Sequence, residues 1–479
     1  MKKFTHFLLR GVLGIGVLMA GIILSDSKGW FDAPIDANPH ILRRWKALKN
    51  MKEQGQDVDV LILGNSHAYT GINPKHMSAR LGMTSFVLAN NSSIWTDSYW
   101  TLREALLWCT PQVVVIETYG LNDQGLGGEK PVHLVNQIRA FDARSDFKTK
   151  LVSTPDLFDL EDMPKAWSQT IRNHHYLWEN REQIAANVKR GTPMPGPKVN
   201  DLYLGRFVRF TSGLTPENLA AYDSIPVPVE GGAQVVHPRN REAARWITEL
   251  CDELGIKLMV VTLPMHSKHV SDPEIWAGYL GEVVESEMNG APWLNLQLDS
   301  SYVNNPDYFE NTLKANQHMT YRGSIAASKD IAQVILDEWE GELDRRNNDS
   351  AWVELFHQEE GFYAYNIPDD SIELEGFRLL ANEMVVGELS ILDAAEFTNK
   401  QSGENKFLQF RVDATSSGEG IHSGSPLRAQ FTFRVGEGKV QRAVIDLRLN
   451  RELSTDDVFI YQKLIVKDAE LLKLEAVAI

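Results

Sequence analysis

Val58-Asp59-Val60-Leu61-Ile62-Leu63-Gly64-Asn65-Ser66-His67 is the stretch that decides how this chain folds. The run from Val58 to Leu63 has the composition of a buried strand, and Gly64 stops it with a residue suited to a tight turn. Short apolar runs then alternate with helical patterns. Strands are expected at Thr84–Ala89, Gln112–Glu117, Ile256–Leu263 and Trp293–Gln297. Helices are expected at Asp97–Trp108, Arg239–Leu254, Pro273–Met288 and Tyr321–Arg345. Strands that are apolar almost throughout, separated by helices, imply an α/β domain with a parallel sheet covered on both faces. In such sheets sites gather at the carboxyl ends of strands, which is where Ser66 falls.

Working outward, the domain is expected to run from Val58 to Arg345, with an interruption from Gln124 to Val235. That interruption is polar, aromatic and proline-bearing, and is read as a partly helical insertion, either a lid or plain decoration. After Asn348 the pattern changes to alternating strands such as Leu408–Val412, Ala429–Val435, Val444–Leu449 and Val458–Val466, separated by Gly and Ser clusters. A small antiparallel β domain, sandwich-like, is expected from residue 351 to 479. Residues 31–57 form a neck, helix-prone from His40 to Gln54.

Residues 1–30 bear on the compartment. Lys2, Lys3 and Arg10 flank an apolar run that, extended back to Phe7, gives about 18 residues, near the minimum for a spanning helix. The basic flank should stay in the cytoplasm and send the rest across. Ser25-Asp26-Ser27 follows without an Ala-x-Ala, so an uncleaved anchor is preferred to a cleaved signal peptide. The net charge of −16 argues against a nucleic-acid partner. Cys109 and Cys251 can pair only if the fold brings them together, and they have no metal-binding spacing.

Ser66 either presents a hydroxyl nucleophile or merely caps the next helix. A nucleophilic serine needs a base, and Asn316-Gln317-His318-Met319-Thr320-Tyr321-Arg322-Gly323 supplies a histidine just before the closing helix. At this point the chain resembles the SGNH/GDSL hydrolase superfamily: Ser66 matches its first block and His318 its last. Leu63-Gly64-Asn65-Ser66-His67-Ala68-Tyr69-Thr70-Gly71-Ile72-Asn73-Pro74 is similar to the membrane-tethered branch found with envelope-polysaccharide genes. The resemblance implies a three-layer α/β fold, a Ser66 nucleophile and a His318 base. It implies oxyanion donors at the Ser66 N–H, the Asn91 N–H and the Asn122 side chain of Gly120-Leu121-Asn122, although Gly-x-Asn-Asp is also an ordinary turn. It departs in two places: after the second strand, where the family carries Gly, this chain has Leu88-Ala89-Asn90-Asn91-Ser92-Ser93, and three residues before the histidine, where the family carries Asp, it has Ala315. Asn316 or Gln317, or Asp307 or Glu310 from the preceding loop, are the candidates to orient the imidazole.

His67, Trp95 and His266 are candidate substrate contacts. The alternatives are a satisfied turn histidine for His67 and core packing for the tryptophans, Trp100 and Trp108 above all. His266 and His269 lack a third ligand at metal spacing, so no metal and no cofactor is expected. His174 and His175 are expected on the surface. The function expected is an extracytoplasmic serine esterase or O-acyltransferase acting on acetyl or other acyl groups of a cell-envelope glycan. Its partners would be the polysaccharide, an acyl donor at the membrane and a membrane acyltransferase. The alternative is a catalytically inactive glycan-binding or assembly protein of the same fold. A carboxylate or amide oxygen at the outer nitrogen of His318 favours the enzyme, and an apolar wall there favours the alternative. In the C-terminal domain Phe362, Tyr363 and Tyr365 either bind polymer or seal the domain against its neighbour.

Overall fold

A computed structural model describes residues 2–33, 40–121, 131–194, 204–206, 213–224, 226, 229–230, 236–313 and 317–346, together with the backbone of strands between 372 and 465. Asn122, Ala315, Asn316 and the Phe362, Tyr363 and Tyr365 cluster lie outside the described residues.

Five strands form one parallel sheet: β1 (Val60–Leu63), β2 (Ser85–Val87), β3 (Val113–Glu117), β4 (Lys257–Thr262) and β5 (Trp293–Asn295). Their order is β2-β1-β3-β4-β5, every neighbouring pair being parallel. Because side chains alternate across a strand, each strand feeds two cores. Leu61, Leu63, Val114, Ile116 and Val260 enter one, while Val60, Ile62, Val113, Val115 and Val261 enter the other. All ten are fully buried. At about 1.5–3 kcal/mol for each large side chain removed from water, these central strands hold both faces together.

The first core is closed by α2 (His40–Glu53), α5 (Trp95–Ala105), α6 (Pro238–Leu254) and α7 (Pro273–Glu287). The second is closed by α3 (Ser66–Gly71), α4 (Pro74–Leu81) and α8 (Tyr321–Trp339). The segment expected as a neck is therefore part of the domain: Ile41, Trp45 and Leu48 of α2 are buried in its core. The apolar α1 (Lys2–Ser27) contains a stretch, Leu9–Ser27, long and apolar enough to cross a membrane.

The described part of the insertion is mainly helical, with helices at Pro131–Ala143, Phe147–Leu157, Met163–Trp167, Gln169–Glu179, Arg181–Arg190 and Pro216–Ala221, and its short strand Val229–Glu230 pairs in parallel with Val270–Ser271. Its own small core, made of Ile138, Phe141, Leu157, Phe158 and Ala166, takes in Trp100 from α5. Farther on, strands Ile372–Ala381, Met384–Val385, Leu427–Val435 and Val440–Leu447 make a four-stranded antiparallel sheet. Strands Ala395–Thr398, Lys406–Gln409 and Leu464–Ile465 make a three-stranded one. Cys109 and Cys251 are buried free thiols, so they do not pair.

A buried ion pair fastens the insertion to the sheet domain. Arg144 Nη2 donates to Asp97 Oδ1, with both side chains out of water, while Asp97 Oδ2 accepts from Ser93 Oγ at 2.8 Å. Removing one partner strands the other charge. Arg144→Ala is expected to lower the unfolding free energy by roughly 3–5 kcal/mol, with Asp97→Leu/Arg144→Met recovering most of it. Denaturant unfolding of the two variants checks this, and equal losses in both would contradict it.

Candidate active site

Gly64 leaves β1 with φ +142°, a backbone conformation that residues with a side chain rarely adopt. There is also no room: a Cβ at Gly64 would lie 2.9 Å from Glu117 Cβ and 3.0 Å from Ala68 Cβ. The turn delivers the chain straight into α3. Asn65 is the N-cap, its Oδ1 accepting from the His67 N–H at 2.9 Å. The capping role open to Ser66 is thus taken by its neighbour. Ser66 is the first helical residue, so its own N–H has no intrahelical acceptor. The strand order reverses between β1 and β3, and the Gly64 turn lies over that crevice beside Glu117.

His318 arrives from the other end of the sequence. Segments 308–310 and 318–320 pair in antiparallel fashion: Glu310 N–H donates to His318 O at 2.9 Å, Thr320 N–H donates to Tyr308 O at 2.8 Å, and Phe309 bridges Met319. Glu310 and His318 are therefore directly opposite, where side chains meet. Glu310 Oε2 lies 3.3 Å from His318 Nδ1, and both side chains are buried. Among the described candidates for the imidazole, Asp307, Glu310 and Gln317, it is Glu310 that lies at Nδ1. Gln317 instead accepts the His266 N–H at 2.8 Å, and the Asp307 carbonyl accepts from the Thr320 hydroxyl at 2.6 Å.

Ser66 and His318 share one end of the sheet. The ring of His67 lies 5.4 Å from that of His318 and stacks on Tyr119 at 4.0 Å. No hydrogen bond closes the pair: His318 Nε2 is buried and has no partner among the described residues. Catalytic hydrogen bonds often tighten only when substrate binds. The loop after β2 borders the same turn. Asn90 N–H donates to Gly64 O at 3.2 Å, and Tyr69 Oη donates to the Asn91 side chain. Asn91 thus lies beside the Gly64 turn, with its side-chain oxygen already engaged.

Two substrate candidates are placed differently from expectation. Trp95 has no exposure to offer a sugar; it is core, and its Nε1 donates to Glu117 O at 3.0 Å. His266 is buried against Tyr222 and Phe309, with Nδ1 accepting the Lys268 N–H at 3.2 Å. Its pKa falls to about 4, chiefly through burial and then through Lys268 and His269, so it is a neutral structural residue. His67 lies beside His318, as its ring position shows. His174 and His175 are exposed. No group of residues able to hold a metal occurs among the described residues.

Sequence reasoning passed over Glu117. It ends β3 beneath the Gly64 turn, fully out of water, with Oε1 accepting the Tyr119 N–H at 2.9 Å and Oε2 without a partner among the described residues. Burial pushes its carboxyl up to about 8, so it is largely neutral at pH 7 and brings little charge under the Gly64 turn. An acidic residue closing a strand of otherwise apolar residues was the available signal.

No family model and no curated protein sequence matches the chain.

Because the folded pKa of Glu117 lies above its unfolded value of 4.5, the stability tied to its proton is complete below pH 4.5 and is lost as pH rises towards 8. Glu117→Gln removes this titration. The variant should gain on wild type by on the order of 1 kcal/mol per pH unit between pH 5 and 8. Paired unfolding curves at pH 5 and pH 8 measure it, and a stability difference that does not change with pH would refute the assignment.

Proposed function

We propose that the chain is an SGNH-like serine esterase or O-acyltransferase, with Ser66 as nucleophile, His318 as base and Glu310 as the acid that orients it. The observation that carries this reading is the Glu310 carboxylate at Nδ1 of His318, supplied from eight residues upstream although Ala315 fills the family's usual acidic position. Ser66 Oγ would attack an acyl carbonyl while His318 Nε2 takes its proton. Glu310 would hold the Nδ1–H and stabilise the imidazolium. Negative charge on the carbonyl oxygen would be met by the N–H groups of Ser66 and Asn91 and by the Asn122 side chain. The protonated imidazole would then give its proton to the departing oxygen, leaving an acyl-serine. Water as the second acceptor gives a deacylase; a sugar hydroxyl gives a transferase.

The apolar α1 supports a membrane-tethered protein whose bulk lies outside the cytoplasm, and in that setting the acyl-bearing polymer is an envelope glycan. Tethering favours transfer, since an acyl donor made at the membrane would be near, with a membrane acyltransferase as its source. The C-terminal strands would form a sandwich that holds polymer. One observation favours a second reading, a non-catalytic glycan-binding protein: Ser66 and His318 do not share a hydrogen bond.

A serine-reactive fluorophosphonate separates the two. Wild type should label and Ser66→Ala should not. Glu310→Gln should label about 10³–10⁴-fold more slowly if the carboxylate orients the base. Absence of labelling in wild type favours the binding protein, and unchanged labelling in Glu310→Gln removes Glu310 from the machinery.

A further inference from the structure

From Leu9 to Leu24 every residue of helix α1 but Ile22 is exposed, whereas Ser25 and Gly29 are buried and Asp26 is half-buried; Leu18 is 65% exposed and Ser25 only 4%. The cover is the insertion. Thr170 donates its N–H to Asp26 Oδ1 at 2.8 Å and its hydroxyl to Ser25 Oγ at 2.9 Å. Asn173 Nδ2 donates to Phe31 O at 2.9 Å, and Asn187 Nδ2 donates to Trp30 O at 3.1 Å and to Asp32 O at 2.9 Å. Gly29, at φ +62°, turns the chain away from the helix so that Asp32 can pair with Arg190 at 3.2 Å. The end of the apolar span is thus locked to the insertion, which fixes the insertion at the depth where the span stops being apolar.

An apolar surface begins right there. Trp167 precedes Thr170 by three residues, so it lies within about 11 Å of it. Its ring meets Phe147 edge-on at 5.7 Å. On the two helices that carry this pair and in the turn between them the insertion leaves large apolar side chains in the open: Phe147 at 66%, Leu151 at 57%, Val152 at 52% and Leu160 at 85% exposure. Phe147 and Leu151 are one helical turn apart on the helix Phe147–Leu157, and Lys148 lies exposed beside them. Tryptophan, exposed Phe and Leu, and a neighbouring lysine are the chemistry of the boundary between lipid and water. Water alone is a poor partner for a cluster of this kind.

We propose that this face of the insertion, formed by Phe147, Leu151, Val152, Leu160 and Trp167, beds into the surface of the same bilayer that α1 crosses. The occupant is lipid because the face continues directly from the covered end of the span. The proposal rests on the reading of α1 as a membrane span. Bedding would give the domain a second hold on the bilayer and set its tilt.

The full chain in nanodiscs tests it. Cys109 and Cys251 are buried and will not label, so Leu151→Cys, Leu160→Cys, Leu18→Cys and Leu254→Cys each carry one environment-sensitive fluorophore. Lipids bearing a nitroxide near the headgroup should quench the probes at 151 and 160 at least about twofold, as expected for an interfacial depth. The probe at 254, at the end of α6 where the strands begin, should be left alone. Aqueous iodide should show the opposite pattern. A probe at 18 quenched by deep nitroxides while 151 and 160 behave like 254 overturns the bedding and leaves the span standing. No lipid quenching at 18 overturns both. Probes at 151 and 160 hidden from lipid and iodide alike would mean a protein covers the face, which also overturns the proposal.

Discussion

The site depends on one steric constraint, the exit of the chain from β1 at Gly64. That residue sits at φ +142°, with the side chains of Glu117 and Ala68 where a Cβ would go. Parallel strands buried on both faces offer no room for polar chemistry along their length, so function is confined to their ends. Where the sheet order reverses, the crossovers diverge and a crevice opens. Only an abrupt turn can start a helix within two residues of such a strand, and only glycine fits the turn. Asn65 then takes the cap, which leaves the Ser66 hydroxyl clear of that duty. Glu117, kept neutral by burial, fills the space beneath without setting a charge under the turn.

The second half of the site is built by different means. His318 is not on a sheet strand; it is held by a three-residue antiparallel pairing with the segment around Phe309. A carboxylate three residues before a histidine reaches it within one turn of chain. A carboxylate eight residues before it can do so only if the chain doubles back in register, and the pairing of 308–310 with 318–320 provides that register. A one-residue slip would send Glu310 to the opposite side of the ribbon. The acid is therefore as dependent on backbone hydrogen bonds as on its own side chain.

This explains what could be read from the amino acids and what could not. The five sheet strands were legible because parallel strands are continuous apolar runs, and their ends fall within three residues of expectation. Tyr321–Trp339 stops short of Arg345, with a 3-10 turn at Glu340–Glu342, since the apolar periodicity continues past the last α-helical bond. The helix His40–Glu53 looked like a polar neck because its mean composition is charged; its inward stripe of Ile41, Trp45 and Leu48 is what the sheet face covers. Trp95 misled because proximity to a strand end says nothing of which way an indole points, and here it points inward to Glu117 O. Glu310 stood among four candidates because loop pairing is a long-range property that no local pattern encodes. Asn65 carried a signal that was passed over, since asparagine before a helix is a favoured cap.

The insertion touches both the apolar helix and the loop beside the Gly64 turn. At one end Thr170, Asn173 and Asn187 grip residues 25–32. At the other, Asn136 accepts a hydrogen bond from Asn90 Nδ2 at 2.9 Å through its carbonyl, and Asn90 N–H in turn reaches Gly64 O at 3.2 Å. The helix α2 braces the same loop from a second side, with Arg44 donating to Ala89 O at 2.9 Å and lying over the Tyr69 ring at 4.2 Å. A decoration attached only at its two ends would leave the loop after β2 free to move. This one is pinned to the base of the apolar helix, so the height and tilt of the domain over that helix and the position of the candidate oxyanion loop are set by the same set of contacts. Moving the end of helix Pro131–Ala143 away from α5 would break the buried Arg144–Asp97 pair. The described helices of the insertion thus link the apolar helix to the loop after β2.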